Sequence, residues 1–169
     1  GLGSVGGLVG DNNRTISLSH AGGSVSGESN VGGLAGFNYN TGRITDSYAT
    51  ATVTGFDAGD LGCCGVSNTG GLVGYNLGGQ VSNSSAGGSV TGVNSVGGLV
   101  GYANGGSVAR SYATGSVTGD SAVGGLVGEA NATITDSYAT GTVAGGDNVG
   151  GLVGIIEGRS LNRSYANNT

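Results

Sequence analysis

The sequence predicts an all-β chain wound into a β-solenoid of six coils, each about 27 residues with three short strands, and carrying one inserted loop. Three observations predict it. A phrase, Gly-Gly-Leu-Val/Ala-Gly, begins at Gly6, Gly32, Gly70, Gly97, Gly124 and Gly150, so successive copies lie 26, 38, 27, 27 and 26 residues apart. A fixed period in the range of roughly 20–50 residues marks a repeat architecture. Within a unit, small and apolar residues fall at every second position, as in Ala113-Thr114-Gly115-Ser116-Val117, which is the spacing of a strand. The third observation is composition: 41 glycines and no proline among 169 residues, with a net charge of −5. Collagen would need a Gly-X-Y register and proline. A disordered linker would not place Leu, Val, Ile and Ala at fixed phases.

The elements follow in order around one coil. Gly-Gly pairs and Gly-Asn or Gly-Asp clusters read as turns between strands. In the fourth unit strands are expected around Leu99–Val100, around Val108 to Ala113, and around Ser116–Thr118. Superposed units give an apolar column of Ile16, Ile44, Val81, Val108, Ile134 and Leu161. Three residues on runs a serine column, Ser19, Ser47, Ser84, Ser111, Ser137 and Ser164. That odd interval changes the parity and predicts a bend or bulge. Next comes an alanine column, Ala21, Ala49, Ala86, Ala113, Ala139 and Ala166, then valines at 25, 53, 90, 117 and 143. Serine and alanine at these phases fit a core too thin for larger side chains. Stacked coils would supply ladder hydrogen bonds that one coil cannot make alone, at ~4.8 Å per coil.

Residues of the opposite parity should face solvent. One such column holds His20, Tyr48, Ser85, Tyr112, Tyr138 and Tyr165; beside it run Leu18, Asp46, Asn83, Arg110, Asp136 and Arg163. In-register stacking would set Arg110 and Arg163 on either side of Asp136 and build a tyrosine ladder. The ladder reads as a register device or as a ligand-binding aromatic strip.

One unit breaks the period. The second is 11 residues longer, with the excess near residues 56–68, and it holds both cysteines, Cys63 and Cys64. Insertions in repeat proteins map to loops on one face. A bond to another subunit, a strained local bridge and free thiols all remain open for these cysteines.

The phrase at 97–101 followed by Ser-Tyr-Ala-Thr-Gly-Ser-Val-Thr-Gly at 111–119 resembles the bacterial GLUG-motif repeats. The resemblance runs through nearly the whole chain except the segment near residues 56–67. It implies a secreted or cell-surface setting, because such repeats occur in adhesin-like proteins and beside IgA-cleaving metallopeptidases, where they act as stalks or spacers. It carries over no catalytic residue.

Chemistry is not assembled anywhere along the chain. A zinc site needs Cys and His at ligand spacing, whereas the one histidine, His20, occupies the tyrosine column far from Cys63 and Cys64. Asp46 and Asp136 share a column but lie three coils apart. No enzyme, cofactor or metal is therefore expected. Five arginines spread singly, with no lysine, argue against nucleic acid, and no apolar run spans a bilayer. Sequons at Asn13, Asn83, Asn131, Asn162 and Asn167 read either as glycosylation sites or as polar turn residues. Residue 1 is glycine and not methionine, and a processed or excised product is the expectation.

The expected function is a structural subunit of an extracellular filament, residues 1–169 forming one solenoid domain that stacks head to tail on copies of itself. Gly1, Leu2, Val5, Leu161, Tyr165 and Thr169 would form its joining ends, since the chain is six whole coils lacking two residues. A second expectation is an adhesin stalk or module that binds glycan, protein or host surface molecules through its Tyr/Thr face. A third is ice binding, from Thr50-x-Thr52-x-Thr54 and its echoes Thr114/Thr118 and Thr140/Thr142.

Overall fold

The computed structural model describes residues 3–57 and 67–168, and none of these is helical. Among the described residues, strands of successive coils pair in parallel and in register: Val73 with Val100 and Val127, Ala86 with Ala113 and Ala139, Val90 with Val117 and Val143. The pairings build three sheets of nine, ten and six strands, one on each side of a β-solenoid of about six turns. The fourth coil shows the circuit. Val100–Ala109 lies in the second sheet, Tyr112–Ala113 in the third, and Val117–Gly124 in the first. The expected strand through Val108 to Ala113 is thus cut in two, with Arg110 and Ser111 at the corner.

The parity change is that corner. Leu18, Asp46, Asn83, Arg110, Asp136 and Arg163 all have left-handed φ values between 45° and 51°. The serine that follows each of them closes the turn with its hydroxyl, Ser111 Oγ donating to the Ala109 carbonyl at 2.8 Å and Ser47 Oγ to that of Thr45 at 2.7 Å. The same oxygen accepts a backbone N–H from the neighbouring coil, as in Ser84 N to Ser111 Oγ at 3.2 Å and Ser111 N to Ser137 Oγ at 3.2 Å. A narrow core is therefore only half the reason for serine. Its hydroxyl replaces ladder hydrogen bonds that the left-handed residue interrupts, and alanine at this phase would leave buried groups unpaired.

The Gly-Gly-Leu-Val-Gly phrase forms the corner between the first and second sheets. Its leucines point inward, with Leu34, Leu72, Leu99 and Leu126 fully buried. No glycine of the phrase has a positive φ, so backbone freedom does not explain them. Space does. A Cβ on Gly98 would collide with the Gly125 carbonyl and stand 2.9 Å from Ala113 Cβ, while one on Gly74 would stand 2.5 Å from Val31 N. Two sheets meet here closely enough that only backbone fits.

The core has two parts. Leu34, Ile44, Ala49 and their counterparts pack in one, and Val25, Val31, Val53 and theirs in the other. Thr69 interrupts the second: it pairs in register with Val31 and Val96, is fully buried, and its hydroxyl has no partner. The irregular unit resumes its coil earlier than expected, because Ser67 is buried and Asn68 opens the strand Asn68–Gly70. Residues 58–66, with Cys63 and Cys64, lie outside the described residues, as do Gly1, Leu2 and Thr169.

Candidate functional site

The third sheet presents the column foreseen from sequence. Tyr112 stacks on Tyr138 with ring centres 5.0 Å apart, and Tyr138 on Tyr165 at 5.3 Å, all within 8° of parallel. His20 stacks on Tyr48 at 5.0 Å, and Ser85 separates the two groups. Rings stacked this way cover one another's faces and leave their edges to solvent. Burial, then the neighbouring Tyr112 and Tyr165, push the Tyr138 hydroxyl pKa up.

The charged column beside it keeps its residues in register and divides its side-chain bonds unequally. Arg163 binds Asp136 with both branches of its fork, Nε to Oδ1 at 2.6 Å and Nη2 to Oδ2 at 2.8 Å. Arg110 turns the other way and donates from Nε to Asn83 Oδ1 at 2.8 Å, and Asn83 in turn donates to Asp46 Oδ1 at 3.2 Å. Arg110 and Arg163 thus stand in register on either side of Asp136, which makes one bidentate pair with Arg163 while Arg110 joins an amide relay. The Arg163 hydrogen bond, more than the charges of Arg163 and Arg110, holds the Asp136 carboxyl below its ordinary pKa. The same bond raises that of Arg163.

Other expected residues scatter over the surface. Asn13, Asn83, Asn162 and Asn167 are exposed, whereas Asn131 is half-buried and donates to Asn104 Oδ1 at 3.2 Å. Thr54, Thr91 and Thr118 pair in register and are exposed, and Ala144 takes the next place. Val5 is half-buried, while Leu161 and Tyr165 are exposed in the last coil.

Sequence reasoning missed two columns that begin right after the phrase. In Gly-Phe-Asn at 36–38, Gly-Tyr-Asn at 74–76 and Gly-Tyr-Ala at 101–103, the aromatic residues meet: Tyr75 stacks on Tyr102 at 5.0 Å, and Phe37 lies tilted against Tyr75 at 4.7 Å while stacking on Tyr39 at 4.1 Å. Next to them Asn12, Asn38 and Asn76 form a buried amide ladder, each Nδ2 donating to the next Oδ1 at 2.7 Å. The signal was their shared phase after the phrase. Across the corner, Ser29, Asn30 and Asn68 face Phe37, Tyr75 and Tyr102 over a groove of about 360 Å³. Asn68 is only 3 % exposed; its Nδ2 donates to Asn30 Oδ1 at 2.8 Å, and its Oδ1 has no partner. Burial and then the Glu129 charge raise the Tyr102 hydroxyl pKa. Among the described residues no group of His, Cys, Asp and Glu is placed to hold a metal.

The model of the GLUG motif matches residues 27–54, 65–91, 92–118 and 119–144. Searches of the curated proteins and of the solved structures found no match.

Proposed function

The chain belongs to the GLUG-motif family, and from that premise we propose that it is the non-catalytic rod of an extracellular or cell-surface filament, one solenoid stacking on the next. The supporting observation is that the serine and alanine columns recur in every coil in one register, so much of what one coil presents to its neighbour is repeated by the next. Val149 and Leu161 carry the apolar columns in register with Val123 and Ile134 of the coil before. Parallel strand edges pair readily with another chain. A second copy of the chain is the partner proposed, joined by heterologous contacts that extend into an open filament rather than a closed ring.

The stacked tyrosines and the Arg163–Asp136 pair serve that role by favouring the in-register alignment of coils. Sedimentation velocity and negative-stain microscopy over a concentration series test the proposal. Rods that lengthen with concentration, and that Val149→Asp with Leu161→Asp abolishes while the strand circular dichroism persists, are expected. A chain that stays monomeric throughout the series overturns it.

A further inference from the structure

One rung is missing from the ring ladder of the third sheet. The column reads His20, Tyr48, Ser85, Tyr112, Tyr138 and Tyr165, so every coil but the third carries a ring there. The backbone passes through that coil without a break: Ser85 N donates to the Ser47 carbonyl at 3.0 Å and Tyr112 N to that of Ser84 at 3.1 Å. Tyr48 and Tyr112 therefore stand two coil steps apart, about 9.6 Å, over a serine side chain too short to fill the space between them. Each has one ring face covered, Tyr48 by His20 at 5.0 Å and Tyr112 by Tyr138 at 5.0 Å. Among the described residues no ring covers the faces turned toward Ser85, and Tyr48 and Tyr112 are 45 % and 39 % exposed.

We propose that the slot between Tyr48 and Tyr112 binds a small, uncharged, planar aromatic molecule of the phenol class, whose ring takes the place of the missing rung. A ring seated midway would lie ~4.8 Å from each neighbour, close to the 5.0 and 5.3 Å separations further along the ladder. Aromatic pairs stack favourably at centre separations of roughly 4.5–7 Å, so both faces of the guest are engaged. Its hydroxyl has two partners within the slot, Ser85, which is half-buried, and Thr114, which is exposed. Thr114 reaches that edge because Gly87 has no side chain: its Oγ1 lies 3.5 Å from where a Cβ on Gly87 would stand. Two residues earlier in each coil, the relay from Arg110 through Asn83 to Asp46 spans the same three coils. It brings one charge of each sign, which favours neither an anion nor a cation over a neutral guest. A peptide strand would need unpaired backbone, whereas Ser85 N and Tyr112 N are already bonded within the sheet. Two ring faces and one hydroxyl contact amount to weak binding, in the millimolar range. The slot is on the side of the solenoid, apart from the faces through which coils stack.

Titration of the ¹⁵N-labelled chain with p-cresol, which is the tyrosine side chain as a free molecule, tests the slot by amide shifts. Saturable shifts centred on Tyr48, Ser85 and Tyr112 are expected, together with upfield movement of the cresol ring protons. Ser85→Tyr supplies the missing ring from the chain itself and should abolish binding. It should also keep the fold, because Tyr48, Tyr112, Tyr138 and Tyr165 already occupy this phase. Tyr112→Ala leaves one ring face and should weaken binding about tenfold. Amide spectra of each variant report whether the fold is kept. The proposal is overturned by an absence of saturable shifts, by shifts that survive Ser85→Tyr or centre on Tyr102 or Tyr165, or by undiminished binding to a folded Tyr112→Ala. Equal binding of methylcyclohexanol, of similar size but without a π face, would overturn the aromatic assignment. Tighter binding of tetramethylammonium than of p-cresol would overturn the uncharged one.

Discussion

Coils one to three and coils four and five cross the second sheet in different ways. In the first three the strand is broken, as Val9–Asn12 then Thr15–Ser17, Ala35–Asn38 then Arg43–Thr45, and Val73–Leu77 then Gln80–Ser82. In the next two it runs through, as Val100–Ala109 and Val127–Thr135. The buried position at the break changes with it: Asn12, Asn38 and Asn76 in the first group, Ala103 and Ala130 in the second. The amides satisfy what the break exposes, Asn76 Nδ2 donating to the Gly79 carbonyl at 3.0 Å and Asn38 Nδ2 to that of Gly42 at 3.4 Å. Where ladder bonds continue from coil to coil, alanine suffices. Through the first five coils an interior amide accompanies a loop and alanine a continuous strand; the last coil, broken between Val153–Ile156 and Leu161–Asn162, carries Ile156 at that position instead.

The largest expected effect breaks this correspondence from both sides. Asn38→Ala strips a partner from Asn12 Nδ2 and another from Asn76 Oδ1, and should cost about 2–4 kcal/mol. Ala130→Asn places an amide where the carbonyls are already bonded in the ladder, and should cost about 1–3 kcal/mol. Urea unfolding measures both. Two near-neutral results would mean that amide and alanine are interchangeable at this phase and that the correspondence is accidental.

A smaller effect, of opposite sign, sharpens it. Thr69 is a buried polar group in the first-sheet valine column without the partner that the asparagines enjoy. Thr69→Val should therefore raise stability by about 1–2 kcal/mol, and Val96→Thr, one coil on, should lower it by a similar amount. A destabilised Thr69→Val would show that its hydroxyl is bonded after all.

The smallest effect lies outside the core, in the later coils. The Asp136 pKa is depressed in the fold by Arg163. Its contribution is therefore present above the unfolded carboxylate value of about 3.9 and is lost as pH falls through the lower folded value. Because the pair is exposed, the slope should be slight. Melting temperatures of the parent and Asp136→Asn, measured from about pH 5 down to pH 2, should converge at the acid end. Parallel curves would assign the pair no role in stability.

Much of this architecture was legible in the chain itself. Parallel in-register pairing copies each residue onto its counterpart, so the columns of Ile44, Ala49 and Val53 could be aligned by counting, and their burial follows from period two. The odd interval before the serines announced a bend, and the tyrosine stack followed from register alone. Counting did not reveal what the serine hydroxyls bond to, why the phrase glycines lack side chains, or that Arg110 turns to Asn83 instead of Asp136. The aromatic column at Phe37, Tyr75 and Tyr102 was visible as a phase, yet nothing in the sequence set it opposite Asn30 and Asn68. Period and register are properties of one strand and its copy, and the sequence by itself determined them. The fold of one sheet against the next at the Gly-Gly-Leu-Val-Gly corner brings together residues that share no strand, and backbone clearance in three dimensions decided it.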